Sequence, residues 1–325
     1  MHVIAENASP NDTSIVSAAG RTAQALSRFL GRRPKRLENS VDKELKRPEF
    51  SVIVCSIDDA KLHKVCANYE RLFASVPHEI VTIRDARSLS EAYNRGIAKA
   101  RGKFLILSHD DIEILTPDFA QRLTTHLERF DLVGIAGTTR VIGGAWFLAG
   151  HPYDYQLVTS PTGQPGRYAI FVRGSGPLVV PSIQAIDGVF MAVRATVARD
   201  ILFDEITFDH FHLYDMDFSY RAYLRGYQVA ICRDIFIVHD SHGSFDATWE
   251  AHRKRFEAKF AQHLPVNPAI IESPVLRIHI GREMVDQEMQ ARWLCNPANI
   301  SSLVARLPAP DSRADTAVTG EADGA

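Results

Sequence analysis

The chain has 325 residues, 46% of them hydrophobic, and 37 Lys and Arg against 39 Asp and Glu give a formal net charge of -2. That allows one large domain or two small ones around a sizeable core, and excludes a globally basic nucleic-acid binder or a strongly acidic chain. No apolar run reaches the ~18 residues of a membrane span, the N-terminus lacks an apolar signal core, and Cys55, Cys66, Cys232 and Cys295 show no CxxC spacing, so a soluble protein in the reduced cytoplasm is expected.

Residues 1–48 read as a polar, basic N-terminal extension or linker. Its stretch Arg32-Arg33-Pro34-Lys35-Arg36 suits either solvent or an anionic lipid or partner surface, the expected route to peripheral membrane or complex association. Residues 49–264 alternate strand-like apolar runs with helix-period segments, the pattern of an α/β domain. Residues 265–307 form a C-terminal extension broken by Pro265, Pro268 and Pro274, and 308–325 have the composition of a disordered tail.

Within the domain, Ser51-Val52-Ile53-Val54-Cys55 reads as a strand buried on both faces. A helix follows through Leu62, Val65, Tyr69 and Leu72, then a strand over 79–83. Ser88-Leu89-Ser90-Glu91 is a capping-box pattern for a helix whose stripe is Leu89, Ala92, Tyr93, Gly96, Ile97 and Ala100, ended by Gly102. The next strand begins at Lys103 and runs into Ser108-His109-Asp110-Asp111. Thr116-Pro117 supplies an N-cap and first position for another helix, and 132–136 is a fourth strand. This β-α-β-α-β-α-β order predicts a parallel, doubly wound half-domain with His109 to Asp111 at its carboxyl edge, where ligands bind. Residues 138–185, rich in Gly, Pro and aromatics, read as loops and hairpins that shape a pocket. A strand over 187–193 and a helix ending near Arg225, with Gly226 as its cap, come next. Two more strands lead to His239-Asp240-Ser241-His242.

Three polar clusters thus end three apolar segments. Asp111, with Asp110, either caps a turn or binds a hard divalent cation together with substrate phosphates. His239 is either a hydrogen-bonded structural residue or an imidazole ligand to a metal such as Mn²⁺. Asp215 and Asp217, two apart on a helix, point in different directions, so one faces a substrate as a general base while the other caps or braces. Asp187-Gly188 is either a turn pair or a carboxylate set against a sugar hydroxyl, glycine permitting close approach. Trp146 and Trp249 are either packed or stacking surfaces.

Taken in order, these segments resemble the family 2-like glycosyltransferases, nucleotide-diphospho-sugar transferases of GT-A fold. The matching residues are Ser51 to Ser56, Ser88 to Gly96, Gly102 to Asp111, Asp187 to Ala192, Tyr214 to Phe218 and Val238 to Phe245. The resemblance implies a Rossmann-like, mostly parallel mixed sheet with helices on both faces. It implies transfer of a sugar from a nucleotide-diphospho-sugar donor to a hydroxyl of a glycan, lipid-linked or other acceptor, with inversion and a Mn²⁺ or Mg²⁺ cofactor. Asp111 and His239 would hold the cation. His109 stands where the family has the first acid of its Asp-x-Asp motif, and His109 and Asp110 would meet the donor. Ser56 and Asp58 would lie near the base, Asp85 would face the nucleotide, and Asp187 would contact donor sugar or acceptor. Asp215 falls on the catalytic-base position, and the loop 239–245 would close over the donor. Two other readings stand beside this one: a metal-dependent phosphohydrolase using His109 and Asp110, and a non-catalytic relative that binds a nucleotide sugar or glycan.

Overall fold

A near-continuous apolar strand requires cover on both faces, and the first strand receives it. The computed structural model describes residues 48–241, 243–271, 273, 275–281 and 302; the readings for 1–47, His242, Pro274, Cys295, most of the extension beyond 281 and the tail 308–325 lie outside these. Strand β1 (Phe50–Cys55) pairs in parallel with β2 (His78–Ile83) and β3 (Phe104–Ser108). Helix α1 (Asp59–Leu72) joins β1 to β2, and α2 (Leu89–Lys99) joins β2 to β3. Val65 and Tyr69 of α1 pack on one face of the sheet with Phe50 and Phe104. Tyr93 and Ile97 of α2 pack on the other, against Ile53, Leu105 and Leu107. The helices therefore cover both faces, as the α/β pattern requires.

Several local signals resolve differently from their simplest reading. Ser88 caps α2 by accepting from the Glu91 amide at 3.0 Å, but Glu91 bonds the Arg87 amide rather than that of Ser88, so only half the capping box forms. Helix α2 ends at Lys99 with Ala100 as its cap, and Gly102 serves packing instead: a Cβ there would lie 2.6 Å from the Ser51 amide nitrogen. Thr116 is not a helix cap. Helix α3 (Phe119–Arg129) starts after Asp118, and the Thr116 hydroxyl accepts the Phe236 amide at 2.8 Å, tying two chain segments together.

The parallel run predicted through 132–136 also breaks. The segment divides into β5 (Leu132–Gly134) and β6 (Ala136–Thr138), which lie in different sheets. Later in the chain, β11 (Phe190–Arg194) inserts antiparallel between β3 and β5, so the first sheet is mixed. Parallel neighbours require a crossover helix, whereas β11 arrives from the second sheet and is free to run the other way. The preceding strand, β10 (Ala185–Ile186), pairs with β6 in that second sheet.

The segment 138–185 supplies the hairpin of β7 (Asp154–Pro161) and β8 (Arg167–Arg173), then the short β9 (Val179–Val180). Helix α4 (Ala195–Ile201) and helix α5 (Tyr214–Leu224) pack beneath the first sheet, and Gly226, at φ +84°, follows the α5 cap in the left-handed conformation glycine adopts freely. Strand β12 (Val229–Cys232) completes a parallel pair with β5, and β13 (Ile237–His239) joins the second sheet between β7 and β4 (Ile112–Ile114). Helix α6 (Ala247–Lys259) follows, and in the C-terminal extension β14 (Leu276–Gly281) lines up antiparallel with β8.

Four of the short segments that cross from one sheet to the other matter here. Residues 109–111 join β3 to β4, Ile135 joins β5 to β6, Asp187 to Val189 join β10 to β11, and 233–236 join β12 to β13. Polar residues excluded from both strand ladders collect along this seam.

Candidate active site

Backbone pairing brings two of the polar clusters together. His239 lies opposite Ile112 in the β13–β4 ladder, and the Asp240 amide donates to the Asp111 carbonyl at 2.8 Å. His239 Nε2 is consequently 3.3 Å from Asp111 Oδ1, and His109 Nδ1 is 3.9 Å from the same oxygen. One ligand atom from each of His109, Asp111 and His239 lies within 4.8 Å of the others.

The electrostatics suit a divalent cation. Burial raises the Asp111 pKa, but the imidazoles of His239 and His109 and the Ser241 hydroxyl more than offset it, and the carboxyl is held well below its usual range. Burial and the neighbouring His239 push His109 below the ordinary imidazole value, which favours the neutral form that ligates metal. Asp111 Oδ1 is buried and completes no hydrogen bond among the described residues. A buried carboxylate oxygen so placed, with two imidazole nitrogens beside it, is a donor set that Mn²⁺ accepts and that otherwise carries an unsatisfied acceptor. Lys61, 3.5 Å from Asp111 Oδ2, offsets part of the charge. A second group, His126, Cys232 and Asp234, is different in kind: His126 already bonds Asp234 at 2.9 Å, and burial raises the Cys232 thiol far above its normal pKa.

The other carboxylates face the same cavity, of about 660 Å³. Asp215 sits in the first turn of α5 and accepts the Gly188 amide at 2.7 Å. Asp187 accepts the Trp146 indole N–H at 2.9 Å and the Val189 amide at 3.0 Å. Burial and then the charge of Asp187 raise Asp215 to about 7, against the pull of the Gly188 and Met216 amides. The close approach depends on glycine. A Cβ at position 188 would stand 2.2 Å from the Tyr214 hydroxyl and 2.8 Å from the Asp215 Cβ. The Tyr214 hydroxyl in turn lies 2.9 Å from His109 Nε2, linking the His109, Asp111 and His239 group to the helix that carries Asp215.

Asp217 is the bracing member of the acidic pair. It is fully buried and bonds Arg221 at 2.8 Å and Lys259 at 2.5 Å, away from the cavity. Trp146 and Trp249 both line the cavity, joined by Phe147 and the exposed Phe245, so the 138–185 segment does shape the pocket.

The residues read as nucleotide-binding sit elsewhere. The Ser56 hydroxyl donates to Asp110 at 2.6 Å, placing both at the carboxyl edge of β1 and β3. Asp58 is the N-cap of α1, accepting the Ala60 and Lys61 amides. Asp85 is exposed and paired with Arg95 at 2.6 Å. None of these lines the cavity.

Two arginines escaped the sequence reading. Arg173, at the end of β8, lines the cavity and pairs with the fully buried Asp154 at 3.0 Å. Arg233 is itself fully buried and donates to the carbonyls of Arg173, Gly174, Gly176 and Pro177. An isolated arginine between Val-Ala-Ile-Cys and Asp-Ile-Phe-Ile-Val was the available signal for a buried cation.

No match was found among curated proteins. Among solved structures, S. aureus TarS in complex with UDP is 13% identical with a TM-score of 0.37, over 58% of this chain and 60% of that one. TarS residues 1–349 crystallised alone give 11% identity and a TM-score of 0.41 over 84% and 75%. The mannosyltransferase PcManGT from Pyrobaculum calidifontis, in complex with GDP-Man and Mn²⁺, gives 12% and 0.41 over 85% and 77%. This chain spans about 60% of the TarS–UDP structure. The glycosyltransferase-like family matches residues 51–260, a span running from β1 past α6 and containing every residue of the cavity wall, and the chain belongs to that family.

Proposed function

We propose that the protein moves a sugar from a nucleotide-diphospho-sugar to an acceptor hydroxyl, with inversion and with Asp215 as general base. The observation that carries this reading is the arrangement along the seam. A cation-binding group of His109, Asp111 and His239 adjoins a cavity whose wall holds a carboxylate, Asp215, with its pKa raised to about 7.

A Mn²⁺ or Mg²⁺ ion held by Asp111, His239 and His109 would act as a Lewis acid on the diphosphate leaving group. Asp215 takes the proton of the acceptor hydroxyl as its oxygen bonds the anomeric carbon, while the bond from that carbon to the diphosphate oxygen breaks. One displacement gives inversion. Asp187, held by Trp146 and the Val189 amide, is fixed to accept a sugar hydroxyl beside the reacting carbon. Trp146, Phe147 and Phe245 give that part of the cavity an apolar wall.

The test is a panel of nucleotide sugars with Mn²⁺ or Mg²⁺, scored by nucleoside diphosphate release and thermal shift. One donor should stabilise the protein only when the metal is present, because only the complete site binds the diphosphate. Release of phosphate from simple phosphoesters, without use of any sugar nucleotide, would revive the phosphohydrolase reading. Binding of a donor with no transfer at all would favour the non-catalytic one.

Two variants refine the proposal. Asp111→Asn keeps the shape of the side chain but removes the anionic ligand. Its Mn²⁺ affinity should fall at least tenfold, read by electron paramagnetic resonance of free Mn²⁺, and EDTA should abolish wild-type transfer reversibly. Gly188→Ala forces a methyl group onto Tyr214 and Asp215 and should lower kcat at least tenfold while the far-ultraviolet spectrum is retained. Wild-type kcat in this variant would show that the Asp215 position is not critical.

A further inference from the structure

The cavity wall opposite the seam is built from one face of the β7–β8 hairpin. Gln156, Val158 and Ser160 alternate along β7, and Phe171 and Arg173 along β8, with Gln156 paired to Arg173 and Val158 to Phe171 in the ladder. Among the residues lining the cavity, Arg173 is the one lysine or arginine. We infer that this wall binds an anionic group, a carboxylate or a phosphate ester, on the acceptor glycan, with Arg173 as its counter-ion. The inference rests on the proposed sugar transfer for the word acceptor.

Four observations carry it. Trp146 donates its indole N–H to Asp187 at 2.9 Å, and the Arg173 guanidinium carbon lies 5.8 Å from the same indole. The cation therefore stands one indole away from Asp187, itself the neighbour of Asp215, a span on the scale of a sugar ring. Asp215 and Arg173 line the same cavity, so a sugar with its hydroxyl at Asp215 shares that space with the guanidinium.

Second, the guanidinium is underused. Among the described residues only Nη1 makes a hydrogen bond, to Asp154, while Nη2 makes none and the side chain keeps about a quarter of its surface exposed. An oxyanion takes N–H donors from a guanidinium, and the Nη2 donors are unclaimed.

Third, the side chain is held in place from behind. Asp154 is fully buried and also accepts the Ser273 hydroxyl at 2.5 Å, and the buried Arg233 grips the Arg173 carbonyl and the turn after it. A fixed cation loses little conformational entropy on binding, unlike a solvated surface arginine.

Fourth, the remaining wall suits a sugar. Gln156 and Ser160 offer an amide and a hydroxyl, while Phe171, Trp146 and Trp249 offer apolar faces for C–H groups. A wall with only these residues would take a neutral glycan. Arg173 adds the one guanidinium on this lining, held by Asp154 through Nη1, and its remaining donors are what an anionic substituent would use.

The experiment measures binding of glucose, glucuronic acid and glucose 6-phosphate to the full chain at low salt by ligand-observed NMR titration. At least one of the two anionic sugars should bind tenfold or more tightly than glucose, and the excess should fall with added salt. Preference for glucuronic acid assigns a carboxylate, and preference for glucose 6-phosphate assigns a phosphate ester. Arg173→Gln should abolish the preference. Because that variant strands the buried Asp154, the double variant Asp154→Asn with Arg173→Gln is measured alongside it, removing both charges together. Equal binding of all three sugars by the wild type would overturn the inference, as would a preference that survives in the double variant. Wild-type release of nucleoside diphosphate from the donor panel is scored separately. Its absence would sink the sugar-transfer reading, while the binding result would still decide whether Arg173 selects anions.

Discussion

Asp215→Asn should lower the transfer rate about 10²- to 10⁴-fold, the usual contribution of a positioned general base, and should leave donor binding intact. The pH profile supplies a second signature. Asp215 accepts a proton only when ionised, and burial beside Asp187 raises its pKa to about 7. Wild-type kcat/KM should therefore rise with pH through about 7 and level off above it, and the asparagine variant should lose that limb. A full-rate variant would remove Asp215 from the chemistry.

The same burial predicts an opposite change in stability. The folded-state pKa of Asp215 is raised above the unfolded value, so its favourable contribution is complete below about pH 4 and is lost as pH rises through about 7. Above neutrality the wild type holds a charge that burial and Asp187 disfavour. Asparagine carries no such charge. The rise from 3.8 to about 7 corresponds to no more than about 4 kcal/mol, so the variant should be the more stable protein at pH 8 and gain nothing at pH 4. Denaturant melts at the two pH values check this, and a variant less stable at both would show that the pair is not strained.

The second large effect should come from Arg233→Met. The guanidinium is fully buried, pairs with no carboxylate among the described residues, and satisfies four backbone carbonyls between Arg173 and Pro177. Burial pushes its pKa down to about 10, leaving it protonated at neutral pH. Methionine fills similar volume but donates nothing, and each buried carbonyl left without a donor costs about 1–3 kcal/mol. Since the four share one donor group, the costs are not additive, and a total of roughly 3–5 kcal/mol is expected, comparable to breaking a buried ion pair. Urea unfolding measures it directly. A loss under 1 kcal/mol would mean that water replaces the guanidinium. Arg233→Lys should recover little, because one ammonium cannot reach four carbonyls from a single stem.

Much of the fold could be read from local pattern. The parallel β1, β2 and β3 unit followed from apolar runs, a Ser88 cap and a helix stripe, all short-range signals. What failed was long-range. Thr116 resembles a helix cap locally, and only the arrival of Phe236 shows what its hydroxyl bonds. Likewise 132–136 is a plausible single strand until β11 separates its first part from β3 and Ala136 pairs with β7 in the second sheet. Apolar periodicity specifies burial and does not encode which sheet a strand joins.

The site followed the same division. Four of the residues singled out in the sequence, His109, Asp187, Asp215 and His239, line one cavity, and Asp111 lies beside the two imidazoles. Ser56 and Asp110 also meet, but Asp58 and Asp85 are occupied with a helix end and an arginine. Arg173 was not readable, since an arginine closing a hairpin strand looks like any solvated terminus. Its role depends on Asp154, nineteen residues earlier, and on Arg233, sixty residues later.

The turn of the β7–β8 hairpin has a consequence of its own. Gly163 and Gly166, at φ +81° and +68°, have nothing within 4 Å of where a Cβ would stand, so the tip projects freely while the base of the hairpin carries Gln156 and Arg173. Length added at the tip leaves the seam untouched, and residues exchanged at the base alter what the pocket admits. The catalytic hardware and the recognition wall are thus separable parts, and a lineage could trade one acceptor for another by editing this hairpin without rebuilding its catalyst.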